Sequence, residues 1–102
     1  MNNKQKKYLL KEAHQLKAIF QIGKAGLNEE LINQISQALE KRELIKVAIL
    51  QNSLEDVDEA SQVIGDQVQA DFVNTIGHTI ILYRASRQEK NRRYSPQVKS
   101  LG

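Results

Sequence analysis

The chain has 102 residues, 40% of them hydrophobic and 26% charged, a formal net charge of +3 and no cysteine. That is the length of one domain, able to bury roughly 60 to 65% of its unfolded surface, and it has no disulfide or thiolate-zinc chemistry to draw on. No apolar run exceeds the four residues of Ile80 to Tyr83 and no h-region follows Met1-Asn2-Asn3-Lys4, so membrane-spanning and secretory readings are set aside.

Asn3 is placed to cap a first helix reaching about His14. Leu9, Ala13 and Leu16 recur at i, i+4 and i+7, while Lys4, Lys7 and Lys11 share the other side. Ala18 to Ile22 reads as a short strand stopped by Gly23. From Asn28 to about Arg42 the stripe Leu31, Ile32, Ile35, Ala38 and Leu39 predicts a second helix, with Asn28 as its cap. Leu44 to Leu50 is a β-branched strand with Ile45, Val47 and Ile49 on one face and Lys46 on the other. Ser53 and Asp56 stand in capping-box-like spacing before Val57, Ala60, Ile64 and Val68, which predicts a third helix over about Leu54 to Ala70. Phe72 to Ile76 and Thr79 to Arg84 are β-prone runs parted by Gly77-His78, as in a hairpin with Gly77 at positive φ.

The expected fold class is therefore α/β, a single compact domain with α-β-α-β-α-β-β order. Helix-separated strands favour parallel crossovers and the final hairpin adds an antiparallel strand, giving a mixed four-stranded sheet. Residues 1–84 form the expected domain. Residues 85–102, which lack apolar periodicity, are expected to be a basic, mobile extension.

Charge is unevenly distributed along the chain. Residues 1–24 hold six lysines and one acid, residues 25–83 hold three basic residues and ten acids, and residues 84–102 hold six basic residues and one acid. Basic ends that meet in space would attract a polyanion, although they read equally as two solvated termini. Gly23-Lys24-Ala25-Gly26 has the GXXG spacing that clamps a nucleic-acid backbone in KH modules, although a glycine pair between strand and helix is more often just a turn. Glu29 and Glu30 already complement the following helix, so any grip on phosphate is expected from the loop amides and Lys24. Lys4, Lys6, Lys7, Lys17, Lys46 and Arg84 are candidates for further phosphate contacts. Phe20, Phe72 and Tyr83 are expected in the core, and Tyr8 and Tyr94 at the surface.

Enzymatic readings find no support. There is no nucleophile constellation, and His14 and His78 read as a helix-end and a turn residue. Glu55, Asp56, Asp58 and Glu59 lack the spacing of a calcium loop and suit a helix start. The glycine loop lacks P-loop spacing. No cofactor or metal is expected.

Several stretches together resemble a YhbY-type member of the CRM (chloroplast RNA splicing and ribosome maturation) domain family. They are Gln5 to Leu9, Ala13 to Lys17, Phe20 to Leu27, Leu39 to Val47 and Ile76 to Arg84, in order and at ordinary spacing. The resemblance implies a fold similar to the C-terminal domain of a bacterial translation initiation factor. It also implies RNA as partner, association with precursor large ribosomal subunits, and a glycine loop that contacts RNA through Gly23, Lys24, Ala25 and Gly26. The family's loop has glycine at the third position, where this chain has Ala25. The resulting expectation is a cytoplasmic, monomeric RNA-binding protein that is not an enzyme. The alternative is a protein-interaction adapter whose acidic middle docks a basic ribosomal partner.

Overall fold

Asn2, one residue earlier than expected, caps the first helix. In the computed structural model, which describes residues 1–102, its side chain accepts the Gln5 N–H while the Gln5 side chain accepts the Asn2 N–H, each at 2.8 Å. This capping box starts α1 (Asn3–Ala13), which turns Leu9 and Ala13 inward. β1 (Phe20–Ile22) is shorter than the apolar run before Gly23. Asn28 caps α2 (Glu29–Arg42) through the Leu31 N–H, and Ile35 and Leu39 are fully buried. β2 (Leu44–Ile49) follows after one residue, Glu43, whose φ of 68° ends the helix abruptly.

Asp56 caps α3 (Val57–Val68), so that helix begins later than expected, and Ser53 instead accepts the Glu55 N–H in the preceding loop. β3 (Phe72–Ile76) and β4 (Thr79–Tyr83) form the predicted hairpin, with Gly77 at φ 59°.

The strand order is β1-β2-β4-β3, with β1 parallel to β2 and β4 antiparallel to both of its neighbours. The sheet is mixed and four-stranded, as the element order implies. β3 runs parallel to β2, but β4 lies between them. Ile80, Ile81, Leu82 and Tyr83 are all buried, which suits β4 to the interior of the sheet, whereas the half-exposed β3 takes the edge.

Each face of the sheet carries its own core. Ile22, Ile45, Val47, Ile49, Ile80 and Leu82 pack against Ile35 and Leu39 of α2 and Ala60, Ile64 and Val68 of α3. Leu44, Ile81 and Tyr83 point to the other face, where Leu9 and Ala13 of α1 meet Val98. Val98 belongs to the segment expected to be mobile. That segment forms a 3₁₀ turn (Glu89–Asn91) and α4 (Ser95–Ser100), packed on the domain. Periodicity missed it because Val98 is its sole buried apolar residue, and its order comes from backbone N–H groups received by Glu40 and Glu43. Tyr94 is likewise half-buried against the second core, as is Tyr8. No helix is long and apolar enough to cross a membrane.

Candidate nucleic-acid interface

Three loops share one end of the sheet: the β1–α2 loop with the glycines, the β2–α3 loop, and the β3–β4 hairpin. Gly23 lies against Leu50 and Asn52 of the second loop, and the His78 carbonyl accepts the Ile49 N–H. Within the glycine loop, the Gly26 N–H donates to the Gly23 carbonyl at 3.0 Å, with Gly26 at φ 70°. The N–H groups of Gly23, Lys24 and Ala25 donate to no protein atom, and Lys24 and Ala25 are exposed. Beside them lies a depression of about 340 Å³, walled in part by Gln21, Asn28 and Gln34. Unpaired main-chain donors beside a lysine are what an oxyanion needs.

An acid from the neighbouring loop already touches this turn. Glu55 Oε1 accepts the Leu27 N–H at 3.3 Å and would lie 2.8 Å from a Cβ on Gly26. Sequence reasoning placed Glu55 only at a helix start, because a contact between loops 28 residues apart leaves no local pattern. Glu29 and Glu30 begin α2, and Asp58 and Glu59 begin α3, at this same end. Lys24 is the only lysine or arginine in the three loops.

The other candidates lie elsewhere. Lys46 is half-buried, with its ammonium donating to the Leu16 carbonyl at 3.1 Å, and Lys17 is exposed next to that carbonyl in the chain. Arg84 is not a free cation. Its guanidinium donates to Ser36 Oγ, Ser36 O and Val68 O at 2.7 to 3.0 Å and lies 3.7 Å from Glu40, tying α2, α3 and β4 together. It is therefore withdrawn as a phosphate ligand.

Lys4, Lys6 and Lys7 are exposed on the first turns of α1, whose start is tied to α4. The Asn2 side chain donates to Leu101 O at 2.9 Å, and the Gln5 side chain donates to Val98 O at 2.8 Å. Val98 packs with Leu44, where β2 begins, whereas the glycine loop lies where β2 ends, about 17 to 20 Å away at ~3.3 Å per residue. The basic termini thus meet each other, in a molecule 40 Å long, rather than surrounding the glycine turn.

Titration at the C-terminal end follows from this packing. The Ser86 hydroxyl, with the N–H groups of Arg87 and Gln88, holds the Glu40 carboxyl below its usual range. Burial pushes Glu43 up, but the N–H groups of Ser86, Ser95 and Tyr94 outweigh it and hold that carboxyl low as well. Burial raises the Tyr83 and Tyr8 hydroxyls. No group of three or more His, Asp or Glu residues converges to hold a metal ion.

Comparison with known proteins matches this arrangement to a described domain. The sequence model of the CRS1 / YhbY (CRM) domain matches residues 1–84. The chain is 46% identical over 90 residues to Probable RNA-binding protein YqeI of Bacillus subtilis, covering 88% of this chain and 94% of that one. It is 36% identical over 90 residues to a Haemophilus influenzae protein named RNA-binding protein, covering 88% and 91%. The solution structure of Staphylococcus aureus SAV1595 superposes with a TM-score of 0.72 at 42% identity, covering 92% of this chain and 98% of that one. On a match spanning residues 1–84, supported by these relatives, the chain belongs to the CRS1/YhbY (CRM) domain family.

Proposed function

We propose that this protein binds RNA without catalysing a reaction. In this reading, exposed Lys4, Lys6, Lys7, Lys17 and Lys24 and the unpaired amides of Gly23, Lys24 and Ala25 contact the phosphate backbone. The RNA is ribosomal, met in precursor large subunits in the cytoplasm by a monomer that needs no cofactor. The observation that carries the reading is the absence of internal neutralisation. Arg84 with Glu40 is the single ion pair in the structure, so the lysines of α1 and of the glycine loop face solvent without a paired acid. The relatives' names as RNA-binding proteins support the choice of polyanion.

The salt dependence of RNA affinity tests this directly. About four phosphate contacts on single-stranded RNA, each contributing a slope near −0.7, mean that a fourfold rise in salt weakens binding about fifty-fold. Lys24→Glu is expected to weaken binding to all sequences alike while leaving the unfolding midpoint unchanged, because the exposed charge contributes little to stability. Affinity independent of salt, or unaltered by Lys24→Glu, excludes this mode.

One feature favours a second reading, an adapter for a basic protein. Glu29, Glu30, Glu55, Asp56, Asp58 and Glu59 all stand at the loop end of the sheet, where Leu54 of the β2–α3 loop is 100% exposed. Co-sedimentation with ribosomal particles that survives ribonuclease supports the adapter, and loss of co-sedimentation supports RNA binding.

A further inference from the structure

Residues 85–102 lie outside the span matched by the family model, yet they complete a surface with the last turn of α2. Two carboxylates bring the chain there. Glu40 accepts the Ser86 hydroxyl and the N–H groups of Arg87 and Gln88 at 2.7 to 3.3 Å. Glu43 accepts the N–H groups of Ser86, Arg93, Tyr94 and Ser95 at 2.7 to 3.0 Å. Glu43 is thereby directed at main chain and Glu40 at main chain, the Ser86 hydroxyl and Arg84, and within the same stretch Arg87, Lys90 and Arg93 are left to solvent.

Lys41, Arg42, Lys90 and Arg93 are exposed and line one open cleft of about 590 Å³. Its remaining walls are Gln37, Gln88, Asn91 and Glu40, whose carboxylate is already occupied by Ser86, Arg87 and Gln88, and no hydrophobic residue lines it. None of the four cations has an ion-pair partner. Lys41 and Arg42 complement the C-terminus of α2, but that does not account for Lys90 and Arg93 arriving from another segment.

We infer that this cleft is a second phosphate-binding site for the RNA backbone, separate from the glycine loop and completed by the C-terminal segment. Two arginine forks, two ammonium groups and neutral amides suit phosphate and ribose oxygens. No aromatic residue lines the cleft, so contacts to the sugar-phosphate backbone are expected to outweigh base readout there. The α2 walls of the cleft, Gln37 to Arg42, lie about 12 to 20 Å along the helix from its start beside the glycine loop. An RNA that engages both must run along the molecule, and a very short one reaches only one end.

This inference rests on the RNA-binding reading. The test is anisotropy of a labelled single-stranded oligouridylate with the full chain and with the double variant Lys90→Gln/Arg93→Gln, across a salt series. Losing two contacts is expected to lower affinity about tenfold near 0.15 M salt and to flatten the salt slope by about 1.4. Amide resonances of Gln88 to Arg93 in the unmutated protein should also shift on titration, a readout that does not depend on the variant folding. If the unmutated protein binds while the variant keeps its affinity and slope, or those resonances stay still, the cleft is eliminated and RNA binding stands. If the unmutated protein binds no RNA, both proposals fall.

Discussion

The two ends of the sheet use the same contact, a carboxylate accepting backbone N–H groups, with opposite results. At the C-terminal end Glu43 is fully buried and receives four N–H groups, so a segment without apolar pattern is held in place and its cations face outward. At the loop end Glu55 is half-exposed and receives one N–H at 3.3 Å, while three neighbouring amides remain without protein partners. Saturation and burial make the first contact architectural. The second is a single long contact from a half-exposed side chain.

The largest test of this contrast is Glu43→Ala. It leaves several buried N–H groups unpaired and is expected to cost at least about 3 kcal/mol in denaturant unfolding, against about 0.5 kcal/mol or less for Glu55→Ala. Equal losses at the two positions would erase the distinction.

Acid sharpens it further. The carboxyls of Glu40 and Glu43 titrate below their usual range in the folded protein, so their stabilisation is complete above the unfolded value, near 4.3, and is lost as pH falls through the depressed folded values. Hydrogen-exchange protection of the Arg93, Tyr94 and Ser95 amides, measured against their intrinsic rates, is expected to fall over that acid range before the main sheet opens. Amides that stay protected until global unfolding would contradict the role of Glu43 in holding this segment.

Smaller effects are expected from the glycines. Gly26→Ala forces a residue with a Cβ to φ 70° and against Glu55, and should destabilise by about 1 to 2 kcal/mol. Gly23→Ala should be close to neutral, since Gly23 has no positive φ and its nearest neighbour would be 3.6 Å away. Paired thermal melts that shift equally would show that the outer glycines are equivalent. Smallest of all, Glu55→Gln removes a negative charge beside the unpaired amides and should tighten RNA binding about threefold, an effect of the size of one exposed charge interaction. Unchanged affinity would mean that Glu55 does not compete with the ligand.

Much of the fold was legible locally. The stripe through Ile35 and Leu39 and the cap at Asn28 located α2, and Gly77-His78 located the hairpin, because side chains one turn or one strand apart determine both. The first cap shifted by one residue because Asn2 and Asn3 are chemically alike and only Asn2 has Gln5 at the right offset. Of the candidate site, the exposure of Lys24 matched its loop chemistry, but Arg84 looked identical to a surface arginine. Its partners come from positions 36, 40 and 68, which no spacing rule links to it.

Short-range pattern thus determined the first three helices and the four strands, because these depend on neighbours within one or two turns, while the family follows from the match over residues 1–84. The tertiary structure alone decided that β4 lies inside the sheet, that the basic termini meet away from the glycine turn, and that residues 85–102 are ordered. Each of those outcomes rests on groups far apart in the chain, chiefly buried Glu43 and the backbone N–H groups some fifty positions later that bind it.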